Sequence, residues 1–475
     1  MDLQESQWPA RQLIDGDLVE SPDRFAVVDP ARGEVFAWCP DATLGQLDLA
    51  ADAARRASTG WAHLSFEDRR TLLRGFAARL REAAPALAPL LSREQGKPIR
   101  DAEREIMRSA EQITGLSAIE IPASVLRQDE AGRVVLEWRP VGVVAGIVPW
   151  NVPVALAMHK LAQALYTGNC LILKPSPYTP LTLLATGAIA AECFPRGVVN
   201  ILAGGDALGA ALTAHREIDK ISFTGSVATG RRIMASAGAG LKRVTLELGG
   251  NDPALVLADA DLDAAAEGIA RSAFANCGQV CMAIKRVYVA DGLHDALVER
   301  LVARAEAIRI GPGSDPASMM GPLQNRAQHD RVTALIATTR ATPGAVFATG
   351  GDAVPGRGYF VRPAIVTGLC DDAPLVAEEQ FGPVLPVLRF ADVDDAVRQA
   401  NATRFGLGAS VWSRDIEAAL AIARRIEAAS VWINRHGGGG SGIPFGGMKD
   451  SGIGREHGLL GLQSYLEPQV LTVPH

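Results

Sequence analysis

Apolar and polar positions are spaced differently in successive parts of this chain, and each spacing predicts a different kind of element. Near the start, residues 25–28 and 34–37 are short apolar-rich pieces broken by proline and glycine, and they read as strands. From Thr43 the spacing turns helical. Segments 43–58, 67–83, 85–95 and 99–117 repeat apolar positions every three or four residues in a background of Ala, Leu, Arg and Glu, which predicts amphipathic helices. Residues 125–139 return to strand spacing around an Ala131-Gly132 turn, so a hairpin is expected. A two-stranded ribbon cannot bury both of its faces, so it should pack against something else, such as another subunit.

Between Val141 and Gly250 the chain alternates. Apolar runs at 141–148, 170–173, 198–202, 220–223 and 243–247 are separated by helical stretches at 154–166, 181–193, 207–214 and 228–237. Short strands that are apolar on both faces, spaced by helices, predict a parallel sheet covered on both sides. A doubly wound, nucleotide-type α/β unit follows. A second alternating set begins at Pro253, with strands at 254–257, 286–289, 386–389, 409–412 and 430–434. Its helices fall at 262–275, 294–308, 326–338, 393–400 and 416–427. The only low-complexity stretch is the glycine run at 437–440.

Length and composition agree with this. At 475 residues, two or three domains are expected. Scarce aromatics (5%) and an apolar fraction of 48% favour tightly packed α/β layers. A net charge of −6 gives no footprint for nucleic acid or an anionic membrane. The opening Met-Asp-Leu-Gln-Glu-Ser has neither a basic nor an apolar signal region, and no apolar run is long enough to span a bilayer. Six cysteines lie scattered without a Cys-x-x-Cys pair, so neither a metal site nor a disulfide framework is expected, and a cytoplasmic location is.

The candidate chemistry sits where strands end. Phe223-Thr224-Gly225-Ser226 closes a strand and opens a helix, where free N–H groups can meet a phosphate. An ordinary capped turn would look the same. Lys174-Pro175-Ser176 ends another strand, in the position where doubly wound sheets bind ligands; an exposed loop lysine is the plain alternative. Pro149-Trp150-Asn151 offers a side-chain amide to a developing oxyanion, or simply good turn chemistry. Cys277 and Cys281 stand close together, some thirty residues after Glu247-Leu248-Gly249-Gly250. Cys281 is the candidate nucleophile and Glu247 the candidate base, although a lone cysteine is more often a small buried packing residue.

Taken together, these stretches resemble the aldehyde dehydrogenase superfamily. Its motifs are matched in order by Pro149-Trp150-Asn151, Lys174-Pro175-Ser176, Phe223-Thr224-Gly225-Ser226, Glu247-Leu248-Gly249-Gly250, Gly278-Gln279-Val280-Cys281, Glu379-Gln380-Phe381-Gly382-Pro383 and Pro444-Phe445-Gly446-Gly447, from about Trp8 to Val470. The resemblance implies a Rossmann-like NAD(P)-binding domain (1–122 and 141–248), a second α/β catalytic domain (249–448), and oligomerisation elements (123–140 and 449–475) that make a homodimer or homotetramer. It implies that Cys281 attacks an aldehyde to give a thiohemiacetal and then a thioester, that Asn151 and the Cys281 N–H hold the oxyanion, and that Glu247 activates the water releasing a free carboxylic acid. Coenzyme A-acylating relatives usually lack this glutamate, so Glu247 favours water as acceptor. Pro149, Trp150, Lys174, Ser176, Gly225, Ser226, Leu248, Glu379 and Phe381 would contact the cofactor. Val152, His159, Val280, Met282, His436 and Phe445 would line the substrate site. NAD is the expected cofactor. Pro177 stands where NAD-preferring relatives often carry a glutamate, which leaves room for NADP. The glycine run and small neighbours suggest space for a bulky or aromatic aldehyde. Nothing in the resemblance requires Cys277; it reads as a small packing residue, with a reversible disulfide to Cys281 as the alternative if the two lie near enough.

Overall fold

The computed structural model describes residues 10–352, 354–356 and 358–474; Trp8 and the Met1–Ser6 opening lie outside the described residues. The alternation after Val141 builds an eight-stranded sheet. In spatial order its strands are Asp17–Val19, Gln12–Ile14, Val199–Ile201, Cys170–Lys174, Val143–Ile147, Lys220–Thr224, Arg243–Glu247 and Gly452–Ile453. The five central strands are parallel. The chain first winds outward from Val143–Ile147 towards Val199–Ile201, then returns to build Lys220–Thr224 on the other side. That reversal opens a crevice beyond the carboxyl ends of two adjacent strands, the ligand position of doubly wound sheets. Val143–Ala145 and the whole of Cys170–Lys174 are buried, as their unbroken apolar runs require.

The second sheet is ordered Val346–Thr349, Ala364–Thr367, Val384–Phe390, Ile284–Ala290, Asp252–Val256, Gly408–Trp412 and Ser430–Ile433. Its strands show the two-residue alternation directly. Ala254, Val256, Val287 and Val289 pack into a core on one face, while Leu255, Tyr288, Leu388 and Val411 pack into a separate core on the other. A third, three-stranded sheet joins Leu466–Val473 to Gly132–Pro140 and Ser124–Asp129, with Leu466 opposite Pro140 and Val473 opposite Arg133. The strand Ser124–Asp129 is exposed throughout.

Two sequence expectations change. Segments 67–83 and 85–95 form one helix, Phe66–Gln95, that contains Pro85 and Pro89. Proline removes one backbone donor and strains the preceding turn. Here Ala84, Leu87, Ala88 and Leu91 are buried along one stripe, and that packing keeps the helix continuous. Both edges of the large sheet also escaped the reading. The Gln12–Ile14 and Asp17–Val19 hairpin and the two-residue Gly452–Ile453 strand are too short to show periodicity. Among the described residues, no helix is long and apolar enough to cross a membrane.

Candidate active site

Cys281 is delivered by an irregular turn. The helix Leu262–Ala273 stops, and Asn276, Cys277 and Gly278 follow in left-handed conformations at φ 49°, 61° and 71°. Such backbone is costly for the two residues that carry a Cβ. At Gly278 a Cβ would run into the Gly382 carbonyl, so only glycine fits there. Side chains hold the turn. Gln279 donates to the Asn276 carbonyl at 2.9 Å and accepts from the Gln324 N–H at 2.8 Å. Cys277 points into the core of the second sheet and is buried.

Lys285, almost fully buried, then gathers three segments. Its Nζ donates to the carbonyls of Cys281 (2.6 Å) and Gly250 (3.0 Å) and lies 3.3 Å from the Glu379 carboxylate. Burial pushes the Cys281 thiol up to about 12, with Lys285 pulling the other way. At rest the thiol is protonated.

Asn151 follows the strand Val143–Ile147 and precedes the helix Pro153–Tyr166. Its Nδ2 donates to the Gln279 carbonyl at 2.9 Å, leaving a second amide hydrogen free, and its own carbonyl accepts from Lys97 Nζ (3.0 Å) and Asn276 Nδ2 (2.9 Å). Lys97 is paired with Glu105, whose other oxygen caps the same helix by accepting from Val154 N (2.9 Å) and Ala155 N (3.2 Å). Among the described residues the Cys281 N–H has no backbone acceptor. One side-chain amide and one main-chain donor are thus available at this point.

Glu247 ends the strand Arg243–Glu247, opposite Thr224 on one side and Gly452 on the other. It is 3% exposed, and neither carboxylate oxygen has a partner among the described residues. Burial raises its pKa well above the ordinary value, and the Glu456 charge adds to the rise. Glu456 lies in a fully buried ion pair with Lys160, which also donates to Ser222 Oγ at 3.0 Å. Burial opposes ionisation of Glu456, but Lys160 outweighs it and holds this carboxyl below its usual range. Two neighbouring carboxyl groups are therefore pushed in opposite directions.

The crevice side suits a dinucleotide. Thr224 Oγ1 is buried without a partner, and Ser226 caps the helix Val227–Ala239 beside Gly225. Lys174 is buried at the end of its strand, its Nζ donating to the Gly204 carbonyl at 2.6 Å, with Ser176 just beyond. Burial lowers Lys174 to about 8. Gly249 lies so close to Glu379 that a Cβ there would meet the carboxylate, and the Gly250 N–H donates to Glu379 at 3.1 Å. Leu248 packs beside Gly230, and Pro149 leads into Trp150, whose ring meets Phe381 edge-on at 5.5 Å. Unpartnered hydroxyl, buried ammonium and glycine cradle fit NAD(P).

A cavity of about 1230 Å³ brings Cys281, Asn151 and Glu247 together. Val152, His159, Val280, Met282 and Phe445 line it as well. His436 does not belong to the lining. Its ring is buried behind the Cys281 loop, where Nε2 donates to the Met282 carbonyl at 2.9 Å and Nδ1 meets Ser410 Oγ at 3.1 Å. Lys285, Lys97, Glu105, Lys160 and Glu456 were not picked out from the sequence. Lys160 carried a readable signal, being the one lysine in a largely apolar helical stretch.

The model of the aldehyde dehydrogenase family matches residues 18–471. The chain is 38% identical over 484 residues to a betaine aldehyde dehydrogenase of Rhizobium leguminosarum bv. trifolii (strain WSM2304), covering 98% of both. Among solved structures, a betaine aldehyde dehydrogenase of Staphylococcus aureus in complex with NAD+ superposes with a TM-score of 0.94 at 32% identity, covering 98% of this chain and 95% of the other. An E. coli NADP dependent enzyme gives 0.96 at 35%, covering 98% of both. A cysteine from the second sheet's entry turn, with a carboxyl group and an amide from the doubly wound sheet, around one cavity suits a cofactor-dependent oxidoreductase, and the chain belongs to the aldehyde dehydrogenase family. It is an enzyme that oxidises aldehydes with NAD(P).

Proposed function

We propose that Cys281 is the nucleophile, Asn151 and the Cys281 N–H the oxyanion donors, and Glu247 the base of this oxidation. The observation that carries the reading is the shared cavity in which a partly exposed thiol, an amide hydrogen and an unpartnered carboxyl group meet. Cys281 Sγ adds to the aldehyde carbon as ionised Glu247 takes its proton and passes it to solvent, and the carbonyl oxygen takes up charge against the two N–H donors. Bound NAD(P)+ supplies the hydride acceptor. Glu379, Lys174, Ser176, Gly225, Ser226 and Leu248 would hold it, with Pro149, Trp150 and Phe381 beside it. Once the adduct is oxidised, Cys281 carries a thioester. Glu247 in its ionised form takes a proton from water, which attacks the acyl carbon and returns the thiol with a free carboxylic acid.

Glu247 supports water rather than coenzyme A as the acceptor. Pro177 can neither bind the adenosine ribose hydroxyls nor repel a 2′-phosphate, so activity with both cofactors is expected, with NAD ahead. We assign residues 1–122 and 141–248 to cofactor binding, 249–448 to catalysis, and 123–140 with 449–475 to assembly of a cytoplasmic homodimer or homotetramer, with the exception of Gly452–Ile453, which edges the large sheet, and Glu456, which lines the cavity. Exposed Val125, Leu126 and Val470 on the small sheet support that last role. Glycines 438–440, which also line the cavity, support a bulky or aromatic substrate.

The test is an aldehyde panel read by NADH and NADPH absorbance, with and without coenzyme A. Cys281→Ala should be inactive, and Glu247→Gln should accumulate a covalent acyl adduct visible by intact-mass spectrometry. A Cys281→Ala enzyme with wild-type turnover would remove the assignment. So would an NADP preference of about tenfold in kcat/KM for the cofactor ranking.

A further inference from the structure

His159 lies on the cavity wall, on the helix Pro153–Tyr166, and is 6% exposed. One ring nitrogen, Nε2, is hydrogen-bonded to Gln112 Oε1. An amide oxygen only accepts, so Nε2 carries the hydrogen. Burial holds the imidazole neutral, its pKa well below the ordinary value, with the neighbouring His457 and Lys160 acting in the same direction. In a neutral ring with Nε2–H, the other nitrogen is a bare acceptor. That nitrogen, Nδ1, is buried and has no donor among the described residues.

Rings and apolar side chains stand beside His159 on the cavity wall, which also carries Arg108, Glu111 and Glu456. The His457 ring meets His159 edge-on at 4.2 Å, and Phe445 lies 6.1 Å beyond it. His457 is held at φ 60°, ψ 162°, a backbone region that usually belongs to glycine, so strain is tolerated to set an imidazole here. Val152, Leu156 and Trp432 complete an apolar wall, and the glycines at 438–440 leave room for a ring.

Resting on the oxidation reading above, we propose that His159 Nδ1 accepts a hydrogen bond from a hydroxyl group of the substrate, and that the enzyme's substrates are hydroxylated aromatic aldehydes. A site with an open buried acceptor favours the ligand that satisfies it and penalises the analogue that cannot donate.

The experiment measures kcat/KM for meta- and para-hydroxybenzaldehyde against their methoxy counterparts, which keep the oxygen but lose the donor. At least one hydroxy compound should exceed its methoxy partner by about tenfold or more. In His159→Leu that ratio should fall to within about twofold, and His159→Gln, which retains an acceptor, should recover part of it. Calorimetric titration of the wild-type chain with the corresponding hydroxy- and methoxybenzyl alcohols reads the same preference without turnover. A chain that reduces no cofactor but prefers the hydroxy alcohol would strike the oxidation reading and retain the subsite. Equal values for the hydroxy and methoxy partners, or a preference that survives His159→Leu in a folded variant, overturn the proposal.

Discussion

Lys285 holds Cys281 through the backbone, its ammonium 2.6 Å from the Cys281 carbonyl oxygen while it also meets Glu379 at 3.3 Å. One cation thereby fixes the loop of the proposed nucleophile against the carboxylate expected to hold the cofactor. Lys285→Met should lower kcat about 10²-fold through misplacement of the thiol. It also removes a neighbouring charge that favours the thiolate, so the rate of Cys281 alkylation by iodoacetamide should fall across the alkaline range. Unchanged alkylation kinetics would separate Lys285 from the thiol.

Lys97 supports the amide from the opposite side, by donating to the Asn151 carbonyl at 3.0 Å. Asn151→Ala should cost roughly 10²–10³ in kcat. Lys97→Met should cost less, and the double variant should be no slower than Asn151→Ala alone, since both act on one group. Steady-state kinetics of the three variants decide this; additive losses would show that Lys97 works elsewhere.

Glu247 must lose its proton to act as a base, and burial with the Glu456 charge keeps its pKa high. The rate of acid release should therefore rise with pH on the acidic side of its profile. Glu456→Gln removes the like charge and leaves Lys160 unpaired, and both changes favour ionised Glu247. The acidic limb of the kcat profile should move to lower pH. A limb that stays in place would mean the two carboxyl groups are not coupled.

Lys220 begins the Lys220–Thr224 strand with its Nζ 2.6 Å from Thr245 Oγ1 and 4.7 Å from the Tyr465 ring centre. Burial lowers it to about 7, against about 10.4 in the unfolded chain. Between those values the unfolded state binds more protons than the folded one, so this group makes stability rise with pH across that window. Below it, both states are charged and the full burial penalty remains. Lys220→Met should thus raise the unfolding temperature more at pH values below about 7 than near 10. Equal gains at both would remove the cause.

Much of this was legible in the sequence, because buried parallel strands carry unbroken apolar runs and glycines mark the turns between strand and helix. Cys281, Glu247 and Asn151, which line one cavity, each sit in a local motif and so could be proposed from the sequence. Lys285, Glu105 and Glu456 could not, since their partners stand on segments far away in the chain and charged residues normally read as surface. His436 misled for the converse reason: its place before the glycine run put it near the cavity, but Asp252, Ser410 and the Met282 carbonyl draw the ring away. The helix Phe66–Gln95 was divided at Pro85 because packing along its buried stripe, invisible locally, overrides the proline.

The protonated state of the Cys281 thiol also bears on how the enzyme ages. Peroxide attacks thiolate, and burial, by raising this thiol, keeps that form scarce at neutral pH. An idle molecule is therefore a poor target for oxidants. Damage should concentrate in working molecules, so wear tracks turnover rather than time in storage.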